Sequence, residues 1–476
     1  MNTNENIILG EFPKAVLDQA TAAARIRPAS FLANRLDLRG KTIFAFAETV
    51  NSPAECAYSL YRKDLGWQLG IHVADVCEYV CEGSPLDTEA RKRRATVRSG
   101  FSLSNMLPER IVDDVCNLAK NGDKLAISVI LNLDENGCLL DVQFDESVIR
   151  ISDVCIYSEI DQLQVSGDAS AVALLREKYA PYRNILGDMY ELAARFCVER
   201  RNRGGLDCTY FRKVYERNEE GKITSFRRVE EPDSRAMLRE IGYFAAQAVG
   251  EYMWANKLPC VFNGRGAVDL NTLDYLSRLI DAGREDEPPA VRTARIADKA
   301  KGTPYYGFVC DALAMNVPPA TYSTSPMNNS FCGCDTIISF FNPVSHYTDL
   351  LIQRVMKTAI KAKDPKNLNL NRQRKIVDAV ANEANVAEQF IYNMRSAFLR
   401  ESALEYLANS PLKNFAGFPV HTDTDGSVLV LLGCGLKAII PVNHTENFKY
   451  FPAQPRLFNI IELGDDSKLT ALQPID

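Results

Sequence analysis

Aspartate is absent from one stretch of this chain: none occurs between Asp37 and Asp64. Histidine is scarce, with 4 in 476 residues, so a histidine-rich metal cluster is excluded. No uninterrupted apolar run reaches the ~20 residues that a membrane-spanning helix needs, and no membrane association is expected. The opening residues MNTNENIILGEFPKAV lack a basic segment followed by an apolar one, so no signal peptide is expected. Basic charge is not in excess either. With 55 Lys and Arg against 61 Asp and Glu the net charge is −6, and any contact with nucleic acid must come from a local basic groove.

What the chain does have is ordinary globular material. Hydrophobic residues make up 46% and charged residues 24%, enough to bury a sizeable core in two or three domains. Thirteen cysteines are scattered singly. Without a secretory signal, that pattern predicts reduced thiols and a cytoplasmic protein. The close pair Cys332 and Cys334 could form half a metal site, but no second Cys or His cluster has matching spacing. Small residues in a tight segment explain it better.

Along the chain, FPKAVLDQATAAARI predicts a short helix ending near Arg27-Pro28. Strand-like runs dominate from about Arg35 to Asn132, and Glu135-Asn136-Gly137 is a hairpin turn, because Asn-Gly tolerates positive φ. Helices are predicted over Ile185–Arg203 and Ser234–Lys257, the latter after Pro232-Asp233. Residues 272–320 read as helical with a charged interruption near Gly283 to Pro289. A long helix follows, in which Ile376, Val380, Ala384, Ala387, Ile391, Met394 and Phe398 form one packing stripe, closed by Ser410-Pro411. The remainder alternates strands with Gly and Asp-Gly turns and reads as a small β-barrel. The organisation expected is a helical lead-in over 1–34, an α/β domain over 35–408 and a barrel over 409–476.

The segments RLDLRGKTIF (Arg35 to Phe44) and GWQLGIHVADVCEYV (Gly66 to Val80) closely resemble the core of the ribonuclease II/R (RNB) exoribonucleases. SPLDTEARKRRAT, MLPERIVDDVCNL, LAISVILNLDENG and ERRNRGGLDC follow in the family's order and spacing. The resemblance implies a β-sheet wrapped by helices around a central RNA channel, followed by an OB-like barrel. Lys413, Phe415, Phe418 and Lys437 are the barrel's candidates for RNA contact, and a plain structural barrel is the alternative. The larger family members carry cold-shock barrels ahead of this core, and the present chain is expected to be a short member without them.

Between the two flanking segments the family places four magnesium-holding aspartates. Aligned on Ala57 and Ser59, those positions fall on Ala47, Pro53, Glu55 and Cys56, so Glu55 is the only retained ligand position. Magnesium takes hard oxygen ligands, which alanine and proline lack, and a thiolate suits softer metals. A family motif with two arginines reads FFNPVSHYTDLLIQR here (Phe340 to Arg354), putting Ser345 and His346 in their places. By resemblance the first of those arginines binds the scissile phosphate, and serine offers no planar cationic fork. The family's segment LPxxYRxHE becomes LPCVFNGRG, with Asn263, Arg265 and Gly266 at its Arg, His and Glu. The resemblance assigns RNA contacts to Arg98, Arg200, Arg201, Arg203, Tyr347 and Arg354.

The expectation is therefore an RNA-binding pseudo-exoribonuclease with no bound metal, acting on single-stranded RNA with or without an RNA-processing protein partner. One alternative is an active 3′-to-5′ exoribonuclease that releases nucleoside monophosphates from an atypical metal site. A second is a scaffold or partner-binding protein with no RNA role.

Overall fold

The structure, a computed structural model, describes residues 10–25, 32–99, 102–120, 122–163, 169–282, 286–303, 305–362, 365–445, 455–465 and 468–475. The chain forms two compact units. One comprises Met1–Arg203, Pro232–Gly264 and Ala320–Ile391; the other comprises Gly204–Glu231, Arg265–Pro319 and Tyr392–Asp476.

The strands of the first unit begin with β1 (Leu36–Asp37), β2 (Phe44–Ala47), β3 (Cys56–Lys63), β4 (Gly66–Ala74), β5 (Val97–Ser99) and β6 (Ser102–Ser104). β7 (Asp123–Leu133), β8 (Leu139–Arg150) and β9 (Asp153–Ile156) follow. β5 and β6 pair as a separate hairpin, and the other seven form a sheet in the order β1-β8-β7-β4-β3-β2-β9. Its inner pairs are antiparallel, while the edge pairs β1–β8 and β2–β9 are parallel. The β7–β8 hairpin turns where Asn-Gly predicts it. Gly137 has φ 86°, and Asp134 Oδ1 accepts from the amides of Asn136 at 2.9 Å and Cys138 at 2.8 Å.

β4 lies in the middle of the sheet and is buried without interruption from Leu69 to Ala74. Burying both faces of that strand also buries His72, which a chain of hydroxyls satisfies. Ser59 Oγ lies 3.0 Å from its Nε2, Ser128 Oγ lies 2.7 Å from its Nδ1, and Ser128 bonds Ser147 at 2.6 Å. These residues come from β3, β4, β7 and β8, one strand after another. Gly70, two residues before His72, leaves the room required: a Cβ there would lie 2.4 Å from Ser59 Oγ. Desolvation lowers the His72 pKa to about 3, so the ring is neutral.

The helices of this unit begin with α1 (Lys14–Ala23), α2 (Pro85–Arg93), α3 (Tyr157–Gln162), α4 (Ala169–Lys178), α5 (Arg183–Asn202) and α6 (Asp233–Ala255). The end expected for the first helix, at Arg27-Pro28, lies outside the described residues. α2 opens with Ser84 accepting from the Asp87 amide at 3.2 Å and Pro85 at its first position, a standard start. α5 and α6 meet through Phe196 stacked on Phe244 at 3.9 Å. Gly250 lets α6 touch the chain at Thr336, since a Cβ there would lie 1.8 Å from the Thr336 carbonyl oxygen. Helix Tyr347–Ile360 follows, and Asn371–Asn409 is the long helix that the apolar stripe predicts.

In the second unit, an antiparallel hairpin pairs Phe211–Arg217 with Ile223–Glu230. Three helices, Leu270–Leu279, Pro289–Ala300 and Tyr306–Met315, occupy the stretch read as interrupted helix. Asn414–Thr422, Val428–Leu432, Lys437–Ile440, Arg456–Glu462 and Thr470–Pro474 close into a five-stranded barrel. The mixed α/β class and the terminal barrel are thus as expected. Phe415 and Phe418 are buried, Phe418 stacking on Phe308 at 4.2 Å, so both rings serve the barrel's packing. Lys413 and Lys437 are exposed.

Candidate functional site

A cavity of about 770 Å³ opens in the first unit, where the start of β3, the N-terminal half of α6 and the segment 337–349 converge. Pro53, Glu55 and Cys56 line it together. Ala47 is buried at the end of β2, next to Phe46, which does line it. Ser345 is held by its backbone, its carbonyl accepting from the Thr96 amide at 2.8 Å, and its hydroxyl donates to Glu55 Oε1 at 2.5 Å. The structure therefore brings together Pro53, Glu55, Cys56 and Ser345, while Ala47 does not line the cavity.

These positions themselves carry little charge. Burial pushes the Glu55 carboxyl above its ordinary value, opposed by the Ser345 hydroxyl and the nearby His346. Its second oxygen is buried and accepts no hydrogen bond. Burial also raises the Cys56 thiol well above its usual range, and the thiol donates to the Phe341 carbonyl at 3.0 Å. It is a neutral S–H, not a thiolate ligand. Asp349, the other cavity carboxylate, is already engaged: Oδ2 accepts from the Asn342 amide and Oδ1 from Thr348 Oγ1, each at 2.9 Å.

A magnesium pair needs several convergent, uncommitted oxygens about 4 Å apart around two ions. One hydrogen-bonded glutamate, one hydrogen-bonded aspartate, a thiol, an alanine and a proline do not fit it. Among the described residues, three carboxylates do converge elsewhere, at Asp75, Glu78 and Glu146. Arg35 and Lys357 are threaded through them, with Arg35 2.5 Å from Asp75 and Lys357 2.8 Å from Asp75 and 3.0 Å from Glu146. That is an internal ion network.

The cavity has polar features that the sequence reading missed. Arg235 and Arg239 reach it from α6, with Tyr58, Tyr157 and Tyr243 around them. Arg235 pairs with Glu48 and lies 4.8 Å over the Tyr157 ring. Arg239 lies 3.6 Å from Glu240. Asn263 also lines the cavity, and its side-chain oxygen is buried without a partner. A signal for the arginines existed: they stand four apart on a predicted helix and so share a face.

The residues expected to contact RNA lie elsewhere. Arg200 is buried against Glu240 at 2.7 Å and donates to the Phe331 carbonyl at 2.8 Å. Arg201 and Arg203 are exposed at the end of α5, Arg203 pairing with Glu199 at 2.6 Å, and Arg98 is exposed on β5. Tyr347 donates to Asp87 at 2.9 Å, and Arg354 binds the same carboxylate at 2.8 Å. These last two border a separate hollow of about 470 Å³ with Arg91, Lys92 and Arg94.

Comparison with known proteins matches these features to one group. The family model described as RNB domain matches residues 35–362. Ribonuclease R 1 of Lactococcus lactis is 25% identical over 473 residues, covering 97% of this chain and 56% of that protein. Ribonuclease R of Thermotoga maritima is 27% identical over 358 residues, covering 73% and 49%. The chain spans about half the length of these curated relatives. Among solved structures, Mycoplasma genitalium RNase R in complex with ribose-methylated single-stranded RNA superposes with a TM-score of 0.81 at 17% identity, covering 99% of this chain and 76% of that one. Yeast Ssd1, described as a pseudonuclease, gives a TM-score of 0.65 at 19% identity, covering 91% and 53%.

Proposed function

This chain belongs to the RNB domain family, and from that premise we propose that it binds single-stranded RNA without hydrolysing it. The observation that carries the proposal is the Ser345–Glu55 hydrogen bond. The one retained ligand position is engaged by the residue standing where the family resemblance expects a phosphate-binding arginine. Neither partner is then available for its family role. Ala47 and Pro53 offer no ligand, and the Cys56 thiol is neutral.

Binding is supported by the rest of the cavity. Two guanidiniums on α6 and several tyrosines suit a chain of phosphates and flat bases. Bases stack on aromatic faces at ~1–3 kcal/mol each, whatever the sequence. Arg98, Arg201 and Arg203 are exposed and serve as outlying phosphate contacts in this reading, while Arg200, Tyr347 and Arg354 shape the fold that presents the cavity. An RNA-processing protein that uses the bound strand is the partner class proposed. The cytoplasm is the proposed location, supported by thirteen cysteines with no disulfide among the described residues. Among the described residues no helix is long and apolar enough to cross a membrane.

The test is a paired assay on a labelled oligoribonucleotide, measuring binding and shortening in one preparation with magnesium and with manganese. Binding without shortening is expected, with affinity falling as salt rises. Metal-dependent shortening abolished by Glu55→Ala would establish the active exoribonuclease instead. Failure to bind any RNA would leave the scaffold reading.

A further inference from the structure

Two acceptors in the cavity wall have nothing to accept. Glu55 Oε2 and Asn263 Oδ1 are both buried, and neither has a hydrogen-bond partner. A buried acceptor left unsatisfied costs about 1–3 kcal/mol, so native structures retain few without a reason. These two come from separate places, the turn before β3 and the strand Phe262–Gly264, yet line the same cavity. Beside them stand aromatic rings for a flat group and the Arg235 and Arg239 guanidiniums for an anionic one. A flat, anionic occupant that donates hydrogen bonds is a nucleotide with an exocyclic amine.

We infer that the cavity selects RNA bases carrying an exocyclic amino group, with Glu55 and Asn263 as the acceptors that read it. The inference rests on the RNA-binding proposal and gives it a base preference. Cytosine presents N4–H₂ as a donor, and carboxylates accept from it. Uracil presents a carbonyl oxygen at the same place, which repels an acceptor, and its one ring N–H cannot replace both hydrogens of the amine. Sites built around a hydrogen bond reject the analogue lacking it far more strongly than sites built on shape.

Cytosine and uracil are both pyrimidines, so comparing them sets aside the difference in stacking between purines and pyrimidines. The experiment measures binding of 5′-labelled C10 and U10 to the full chain by fluorescence anisotropy, under one salt condition. C10 is expected to bind about tenfold more tightly. In Asn263→Leu the C10-to-U10 ratio falls to within about twofold. In the isosteric Glu55→Gln, which exchanges an acceptor for a donor and keeps the side chain's shape, the ratio narrows as well. Equal affinities in the unaltered protein, or a preference that survives both substitutions, overturn the inference and leave RNA binding standing. If neither oligomer binds, the RNA-binding proposal falls and the inference with it.

Discussion

Ser345 donates its hydroxyl proton to Glu55 across 290 positions of sequence, joining the loop before helix Tyr347–Ile360 to the turn before β3. The bond satisfies a carboxylate oxygen in a buried setting. Ser345→Ala is therefore expected to lower stability by about 1–3 kcal/mol, far more than loss of an exposed serine hydroxyl. Denaturant unfolding measures it. A double cycle with Glu55→Ala should give a less-than-additive sum, since both substitutions remove one contact.

Glu55 gives this fold a pH dependence of definite sign. Its folded carboxyl binds protons more tightly than the unfolded one, because burial disfavours the charge. The unfolded chain releases that proton first as pH rises. Stability contributed by the neutral acid is full below the unfolded value near ~4.3 and is lost as pH climbs through the raised folded one. Glu55→Gln is expected to raise the melting temperature at pH 8 and leave it nearly unchanged at pH 4. An equal shift at both pH values would contradict the assignment.

His72 acts in the opposite sense. Its folded pKa lies at about 3, below the ordinary 6.5, so its contribution is present above pH 6.5 and declines as pH falls toward 3. Between pH 7 and pH 5 the loss amounts to about 2 kcal/mol for this group alone. Replacing it by His72→Gln should flatten that part of the stability profile while lowering stability overall. Chemical denaturation at pH 7 and pH 5 on both proteins provides the comparison.

On the proposed reading, metal-dependent hydrolysis requires more than one change. Cys56→Asp or Ser345→Arg alone is expected to give no metal-dependent hydrolysis, because each leaves the other ligand positions empty. One preorganised charge-stabilising group is worth roughly 3–4 kcal/mol of transition-state stabilisation, and several are missing together. The informative variant combines Ala47→Asp, Pro53→Asp, Glu55→Asp, Cys56→Asp and Ser345→Arg, assayed for mononucleotide release.

Gly250→Ala is expected to be among the most damaging single-methyl additions in the first unit. The new Cβ would meet the Thr336 carbonyl oxygen at 1.8 Å, and backbone cannot step aside as a side-chain tip can. Overpacking of this kind costs typically ~1–3 kcal/mol or more. Because α6 carries Arg235 and Arg239, the same change should weaken RNA binding, which titration at a temperature below the melting transition would reveal.

The local signals in the sequence translated well. The hairpin at Asn136-Gly137, helix α6 after Pro232, the long helix ended by Ser410-Pro411 and the barrel all follow from short-range rules of turn chemistry and periodicity. The joining of Glu55 to Ser345 was legible only through family resemblance, because no local rule connects residues so far apart. Tyr157 was missed for the same reason. β9 pairs parallel with β2, which carries Tyr157 beside residues more than a hundred positions earlier. Arg200, Arg201 and Arg203 are assigned RNA contacts by resemblance. A shared motif does not distinguish an arginine facing outward from one like Arg200, folded inward onto a carboxylate.

Asp87 receives three donors at once: the Gly83 amide at 2.7 Å, the Tyr347 hydroxyl at 2.9 Å and the Arg354 guanidinium at 2.8 Å. It is a joint where α2 and helix Tyr347–Ile360 are pinned to each other, apart from the cavity wall. Tolerance to mutation should accordingly be steep on one side of the motif and shallow on the other. Within FFNPVSHYTDLLIQR, a saturation library selected for folded protein should accept many residues at His346, while rejecting nearly all at Tyr347 and Arg354. Positions that face the cavity can vary where no contact holds them, and those that hold the joint cannot.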